Sequence, residues 1–143
     1  MNVDDVIATL GLAPHPEGGF YRETYRHIPE DGGRGDVTVI YFLLKAGERS
    51  AWHRIDATEV WLHHAGSPLL LDIWQEDAKI QSLTLGTDFS AGDAAQGIVP
   101  PHAWQSAQSL GDWTLVSCTV APAFLFETFE MAPPGWAPDA PTR

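Results

Sequence analysis

The sequence predicts an all-β domain, a sandwich or barrel capped by one short N-terminal helix. Six short runs rich in β-branched and aromatic residues recur at 37–44, 60–64, 69–74, 80–85, 113–120 and 124–131. Such residues suit a pleated, half-buried surface. Turn signals punctuate the runs: Asp31-Gly32-Gly33, Ala46-Gly47, Ala65-Gly66-Ser67-Pro68, Ala91-Gly92-Asp93 and Leu110-Gly111-Asp112. Many short strands with frequent turns argue a closed or double-sheet all-β architecture. A helical period occurs convincingly in one place, the N-terminus.

There, Val3, Ile7 and Leu10 fall at spacings of four and three with Val6 beside them, so one face is apolar. Asn2 is the expected N-cap, Asp4 and Asp5 favour the positive end of the dipole, and Gly11 is the stop. His15-Pro16-Glu17-Gly18-Gly19 follows as a turn, read as a chain reversal with a lid or rim contact to a pocket as its functional alternative. Tyr21, Glu23 and Tyr25 then alternate with Arg22 and Thr24, so one set is expected to reach a cavity or a partner subunit. The end of the chain, 132–143, holds four prolines and no periodicity, and is expected to lie on the surface. With no internal repeat, the organisation reads as one domain: a helical cap at 1–12, a barrel at 13–131 and a Pro-rich tail at 132–143.

Composition narrows the function. With 143 residues and 44% hydrophobic content, the chain can bury a core without staples. One cysteine excludes an intrachain disulfide and a thiolate metal cage. The formal net charge of -11 repels phosphate backbones and anionic lipids, so neither nucleic acid nor membrane is an expected partner. A neutral small molecule is the easier partner. No apolar run approaches the roughly 18 residues of a membrane helix, and acids stand at the N-terminus where a signal peptide carries bases. A cytoplasmic address is the expectation.

The stretch from Gly47 to Gly66 is richest in chemistry. If Glu59 opens a strand, alternation sets Glu59, Trp61 and His63 on one face and Val60, Leu62 and His64 on the other. A carboxyl and an imidazole facing a barrel interior need partners, as a satisfied structural pair or as a polar cluster in a ligand cavity. Gly47, His53, Ile55, Glu59 and Gly66 resemble the first cupin motif, with Ile55 where a second His is normal. Gly97 to Gln105 resembles the second, with His102 where Gly is usual and Gln105 where the last His is usual. The blocks His15 to Tyr25, Val99-Pro100 with Trp104-Gln105, and Leu115 to Pro122 resemble a bacterial and fungal cupin-like subfamily described as a domain of unknown function. The similarity runs from about Val3 to Met131. It implies a double-stranded β-helix, the jelly-roll barrel, commonly a homodimer, and no single reaction.

Metal-binding cupins typically supply three His and one Glu, and the motif positions here supply His53, Ile55, Glu59 and Gln105. No cofactor is expected; the alternative is a divalent Zn, Fe, Ni or Mn held by His53, Glu59 and Gln105, with His63 or a tyrosine completing the set. Resemblance to metal-free epimerase cupins implies His53 as base, Glu59 orienting it, and Tyr21, Tyr25 or Tyr41 as acid. Arg22, Arg26, Arg49 and Arg54 are the candidate cations for an anionic ligand. Trp52, Trp61, Trp104, Phe42 and Tyr41 would line the pocket of a pure binding module. Trp104 and Gln105, being adjacent, cannot both face the cavity, and Cys118 reads as an inert buried thiol. The expected site therefore places His53, Glu59 and Tyr41 as catalytic groups, with Gln105, Trp61, His63, Ser50, Phe42, Tyr21 and Arg22 around the pocket. The expected function is binding, with isomerisation or epimerisation, of a small polar molecule resembling a sugar derivative. A metal-dependent dioxygenase or isomerase and a non-catalytic binding module are the alternatives.

Overall fold

The computed structural model describes residues 1–76 and 78–138. The helix α1 (Val3–Leu10) forms as its end residues dictate. The Asn2 side chain accepts the Asp5 backbone N–H at 2.9 Å, Asp5 returns the contact to Asn2, and Gly11 closes the helix in the left-handed conformation. Its apolar face packs Val6, with Leu12, on Leu43 and Leu115 from the outer side of a sheet.

Two antiparallel sheets follow. The first has the order β1-β2-β3-β10-β5-β8, with β1 (Ala13–Pro14), β2 (Phe20–Arg26), β3 (Thr38–Lys45), β5 (Thr58–Gly66), β8 (Gln96–Val99) and β10 (Trp113–Ala121). The second has the order β11-β4-β9-β6-β7, with β4 (His53–Arg54), β6 (Leu69–Trp74), β7 (Gln81–Leu85), β9 (Trp104–Ser109) and β11 (Glu130–Met131). Between them lies a core of Phe42, Leu44, Trp61, Leu69, Leu71, Ile73, Leu85 and Val116. Alternation sorts each strand: Ile40, Phe42 and Leu44 point between the sheets, whereas Tyr41 and Leu43 point out beneath α1. A fully buried Leu is worth about 1.5–3 kcal/mol. Leu44, Leu69, Leu71 and Leu85 are fully buried in this core.

Two elements depart from the sequence expectation. The run at 124–131, expected as a strand, is a loop with a 3-10 turn at Phe126–Thr128, and pairs only at Glu130–Met131. Its backbone is bound by side chains instead of a neighbouring strand. Arg34 donates to the Ala123 carbonyl, Arg26 to the Phe124 carbonyl, and the Phe124 N–H to Thr38 Oγ1. Conversely β9, Trp-Gln-Ser-Ala-Gln-Ser, is too polar to read as a core strand, yet Gln105, Ser106 and Ser109 are buried. Each has an internal hydrogen bond, which removes the usual cost of burial. Beyond β11 the chain runs along the outer face of the second sheet, where Trp136 stacks on Trp104 with ring centroids 4.6 Å apart. Residues 139–143 of the expected tail lie outside the described residues.

Candidate functional site

A cavity of about 150 Å³ opens at the end of the barrel where β3 and β5 begin and β2 and β10 finish. Its inner surface carries four titratable side chains, His15, Glu17, His53 and Glu59, all nearly shielded from solvent. Ile40, Ile55 and Val120 form apolar wall. Phe124, Phe126 and Phe129 from the 122–129 loop cover it, with Phe129 stacked on the His53 ring at 5.3 Å. A Glu23–Arg26 ion pair sits at the more exposed rim.

Glu59 is held from behind by a directional chain. Trp61 Nε1 can only donate, and it donates to Gln105 Oε1 at 2.9 Å. That turns the Gln105 amide nitrogen toward Glu59, where Nε2 donates to Oε1 at 2.9 Å. The Cys118 thiol beside it also favours the charged carboxyl. Burial disfavours the charged carboxyl more than these neighbours favour it, and the Glu59 pKa is pushed up to about 7.

The other three groups come from the His15–Gly19 turn and β4. The reversal is tight: His15 N–H donates to the Gly19 carbonyl and Gly18 N–H to the His15 carbonyl. Gly19 has φ +79, and a Cβ there would stand 2.7 Å from the Leu43 carbonyl oxygen. Only glycine lets the turn press this closely on β3, and the closeness carries His15 and Glu17 into the barrel. The Glu17 backbone N–H donates to His15 Nδ1 at 3.0 Å, so the proton of a neutral His15 is on Nε2. His53 Nδ1–H donates to the Ala51 carbonyl at 2.8 Å, which leaves Nε2 as an acceptor. Burial, and for His15 also the neighbouring His53, lowers both imidazoles to about 4. Burial, reinforced by Glu59, raises Glu17 well above the usual carboxyl range. Glu17 Oε2 lies 3.1 Å from His53 Nδ1, but burial disfavours the charge on both partners. With the Nδ1 proton spent on Ala51, Oε2 is buried without a hydrogen-bond partner among the described residues.

The structure brings His53, Glu59 and Tyr21 to the cavity, with Gln105 and Trp61 directly behind Glu59 and Phe42 packed on Trp61 and His15. Four expected residues are elsewhere. Tyr41 faces outward beneath α1, because its neighbours Ile40 and Phe42 take the inward side. Arg22 is exposed and donates to the Leu10 carbonyl at the end of α1. Ser50 accepts from the Ala107 N–H and borders a surface groove beside Trp52 and Trp136. His63 lies four residues along β5 from Glu59, about 13 Å at a strand's rise per residue, with Nε2 on the Ser67 carbonyl. Nor does Glu59 orient His53; Ala51 does. The sequence offers His15 and Glu17 only a lid or rim contact as the alternative to a plain chain reversal, and it does not place Phe124, Phe126 and Phe129 at the site, whereas all five line the cavity. The Gly pair after Glu17 was the available signal for the first two, since a turn that needs glycine twice is one pressed against something.

A family model described as Cupin superfamily (DUF985) matches residues 4–132. The chain belongs to this cupin family. Protein SO0799 from Shewanella oneidensis is 39% identical with a TM-score of 0.87, covering 92% of this chain and 85% of that one. A hypothetical protein from Leishmania major is 31% identical with a TM-score of 0.83, covering 91% and 86%. The uncharacterized protein YML079W of Saccharomyces cerevisiae is 24% identical over 88% of this cupin and 73% of its own length. Oxalate decarboxylase from Bacillus subtilis shares the fold at 15% identity and a TM-score of 0.65, this cupin spanning 29% of that chain. No helix among the described residues is long and apolar enough to cross a membrane.

The residues of this cupin do not make the three-His-one-Glu metal set. Ile55 lines the cavity where the second imidazole would stand. Gln105 has its oxygen committed to Trp61 and offers only N–H toward Glu59. Among the described residues no group of three or more His, Cys, Asp or Glu side chains is arranged to hold a metal ion.

Proposed function

We propose that this cupin binds a compact organic molecule in the barrel cavity and shifts a proton on it, isomerising or epimerising a carbonyl compound. The supporting observation is that two buried carboxyls share one cavity, Glu59 near 7 and Glu17 raised well above its ordinary value, facing two neutral imidazoles. Titratable neighbours pushed apart in this way divide into an acid and a base. Glu59 is the base, because a carboxyl poised near neutrality is both available and strong enough to take a proton from carbon. Glu17 is the neutral acid, its Oε2 without a partner to compete with a substrate oxygen. His53 Nε2 is a second acceptor beside it. The volume limits the substrate. A 150 Å³ apolar cavity holds a benzene-sized guest, so a ligand of roughly six to eight heavy atoms fits, and a sugar nucleotide does not.

The test is exchange of carbon-bound hydrogen for deuterium in D2O, followed by proton NMR across a panel of ketones and oxoacids of up to eight heavy atoms. Exchange should rise with pH through about 7 and fall at least about 100-fold in Glu59→Gln. Saturable binding without exchange would reduce the protein to a binding module and refute the proton shift. Exchange unchanged in Glu59→Gln would refute the assignment of the base.

A further inference from the structure

Arg26 is the one lysine or arginine lining the cavity among the described residues. A β-bulge puts it there. The pairing of β2 with β3 slips between Glu23 and Tyr25, so Glu23 partners Ile40 and Arg26 partners Thr38. Thr24 is the extra residue, and residues 23 and 26 share the cavity side that strict alternation would have split.

The donors of the guanidinium can be counted. Nε donates to Glu23 Oε2 at 3.1 Å, Nη2 to Glu23 Oε1 at 2.7 Å, and Nη1 to the Phe124 carbonyl at 2.9 Å. Arginine has five N–H bonds, so one remains on each terminal nitrogen. With Nε and one Nη2 hydrogen turned side-on to Glu23, the second Nη2 hydrogen points off the end of the guanidinium, where a carboxylate can accept it together with the remaining Nη1 hydrogen. Glu23 already balances the charge, which favours a monoanion over a dianionic phosphate facing Glu23 and Glu59 together. Ile40, Phe124 and Phe126 offer apolar surface beside the rim.

We propose that the ligand is a compact monocarboxylate, its carboxylate docked end-on against Arg26 and its short apolar body on the phenylalanines, with the distal carbon reaching Glu59. This rests on the reading of the cavity as the ligand site. Arg26 sets specificity; Glu23 competes for the same guanidinium and tempers affinity.

The experiment is calorimetric titration with butyrate, 2-oxobutyrate and the neutral butyramide, on the wild type, Arg26→Gln, Arg26→Lys and Glu23→Gln, each checked for a cooperative thermal melt. The carboxylates should bind at least about tenfold tighter than the amide. That preference should vanish in Arg26→Gln and be only partly kept in Arg26→Lys, which retains the charge without the fork. Glu23→Gln should tighten carboxylate binding several-fold. Equal affinity for amide and carboxylate, no saturable carboxylate binding, or weaker binding in Glu23→Gln would overturn the proposal. The two proposals fail separately. Carboxylate binding without deuterium exchange refutes only the proton shift, whereas exchange of 2-oxobutyrate undiminished by Arg26→Gln refutes only the carboxylate anchor.

Discussion

Replacing Glu59 by Gln should give the protein a pH-dependent stability that the wild type lacks between pH 5 and 6. The unfolded chain carries His15 and His53 with ordinary imidazole pKa values near 6.5, so in this window it binds close to two protons on them and almost none on Glu17 and Glu59. The folded protein does the reverse. Its imidazoles, lowered to about 4, are neutral, while Glu59, at about 7, and Glu17, raised well above its ordinary value by burial, hold their protons. Two protons bound in each state cancel, and the wild-type stability should be flat. Taken alone, the raised Glu59 stabilises the fold fully below its unfolded pKa, and this is lost as pH rises from about 4.5 to 7. The lowered imidazoles act in the opposite sense, their contribution lost as pH falls from 6.5 to about 4.

Glu59→Gln removes one native-state proton and leaves the unfolded count unchanged. Stability should then rise with pH by about 1.2 kcal/mol per unit, the linkage slope for a deficit just under one proton. Gln is isosteric and still accepts from Gln105 Nε2, so the fold is retained. Asp56, lowered to about 2 by its hydrogen bonds from Arg34, titrates below this window. Urea unfolding followed by tryptophan fluorescence at pH 5.0, 5.5 and 6.0 and constant ionic strength measures both slopes. A variant slope equal to that of the wild type would show that Glu59 is ionised in the fold, and would refute the acid–base division of the cavity.

Gly19→Ala should cost about 2–4 kcal/mol, since the positive φ and the overpacking of Leu43 and Leu44 both count against it; chemical denaturation decides, and a loss below 1 kcal/mol would mean that the turn moves freely away from β3. His102 has φ +69 and is exposed, with its backbone N–H on the Ile55 carbonyl. His102→Gly should therefore stabilise by roughly 0.5 kcal/mol, the left-handed strain relieved less the entropy glycine adds, and a lowered Tm would contradict this.

The readable part of the fold was the part built on apolar side chains. β3, β5, β6 and β10 carry β-branched and aromatic residues, and they are strands for that reason; β7 sets Leu83 and Leu85 on the face toward the core. β9 hid because its buried side chains are polar and satisfied by partners such as Ser50 and Glu59 that lie 46 to 57 residues away in the chain. The 124–131 run misled for the opposite cause. Its phenylalanines are as apolar as a strand's, but they pack on one another and over His53, with the backbone held by Arg26 and Arg34. His102, standing where the cupin motif usually has glycine, occupies the left-handed conformation that makes glycine usual there.

By itself, then, the sequence determined the β architecture, the capped helix and the motif positions His53, Glu59 and Gln105, because each rests on local pattern or spacing. Tertiary structure alone decided what those positions do. Trp61, forty-four residues from Gln105, chooses which end of the amide meets Glu59. A glycine turn thirty-odd residues before His53 delivers Glu17 to it, and a one-residue bulge turns Arg26 inward. Protonation states follow from burial and from neighbours in space. Neither is written along the chain until the strands pair.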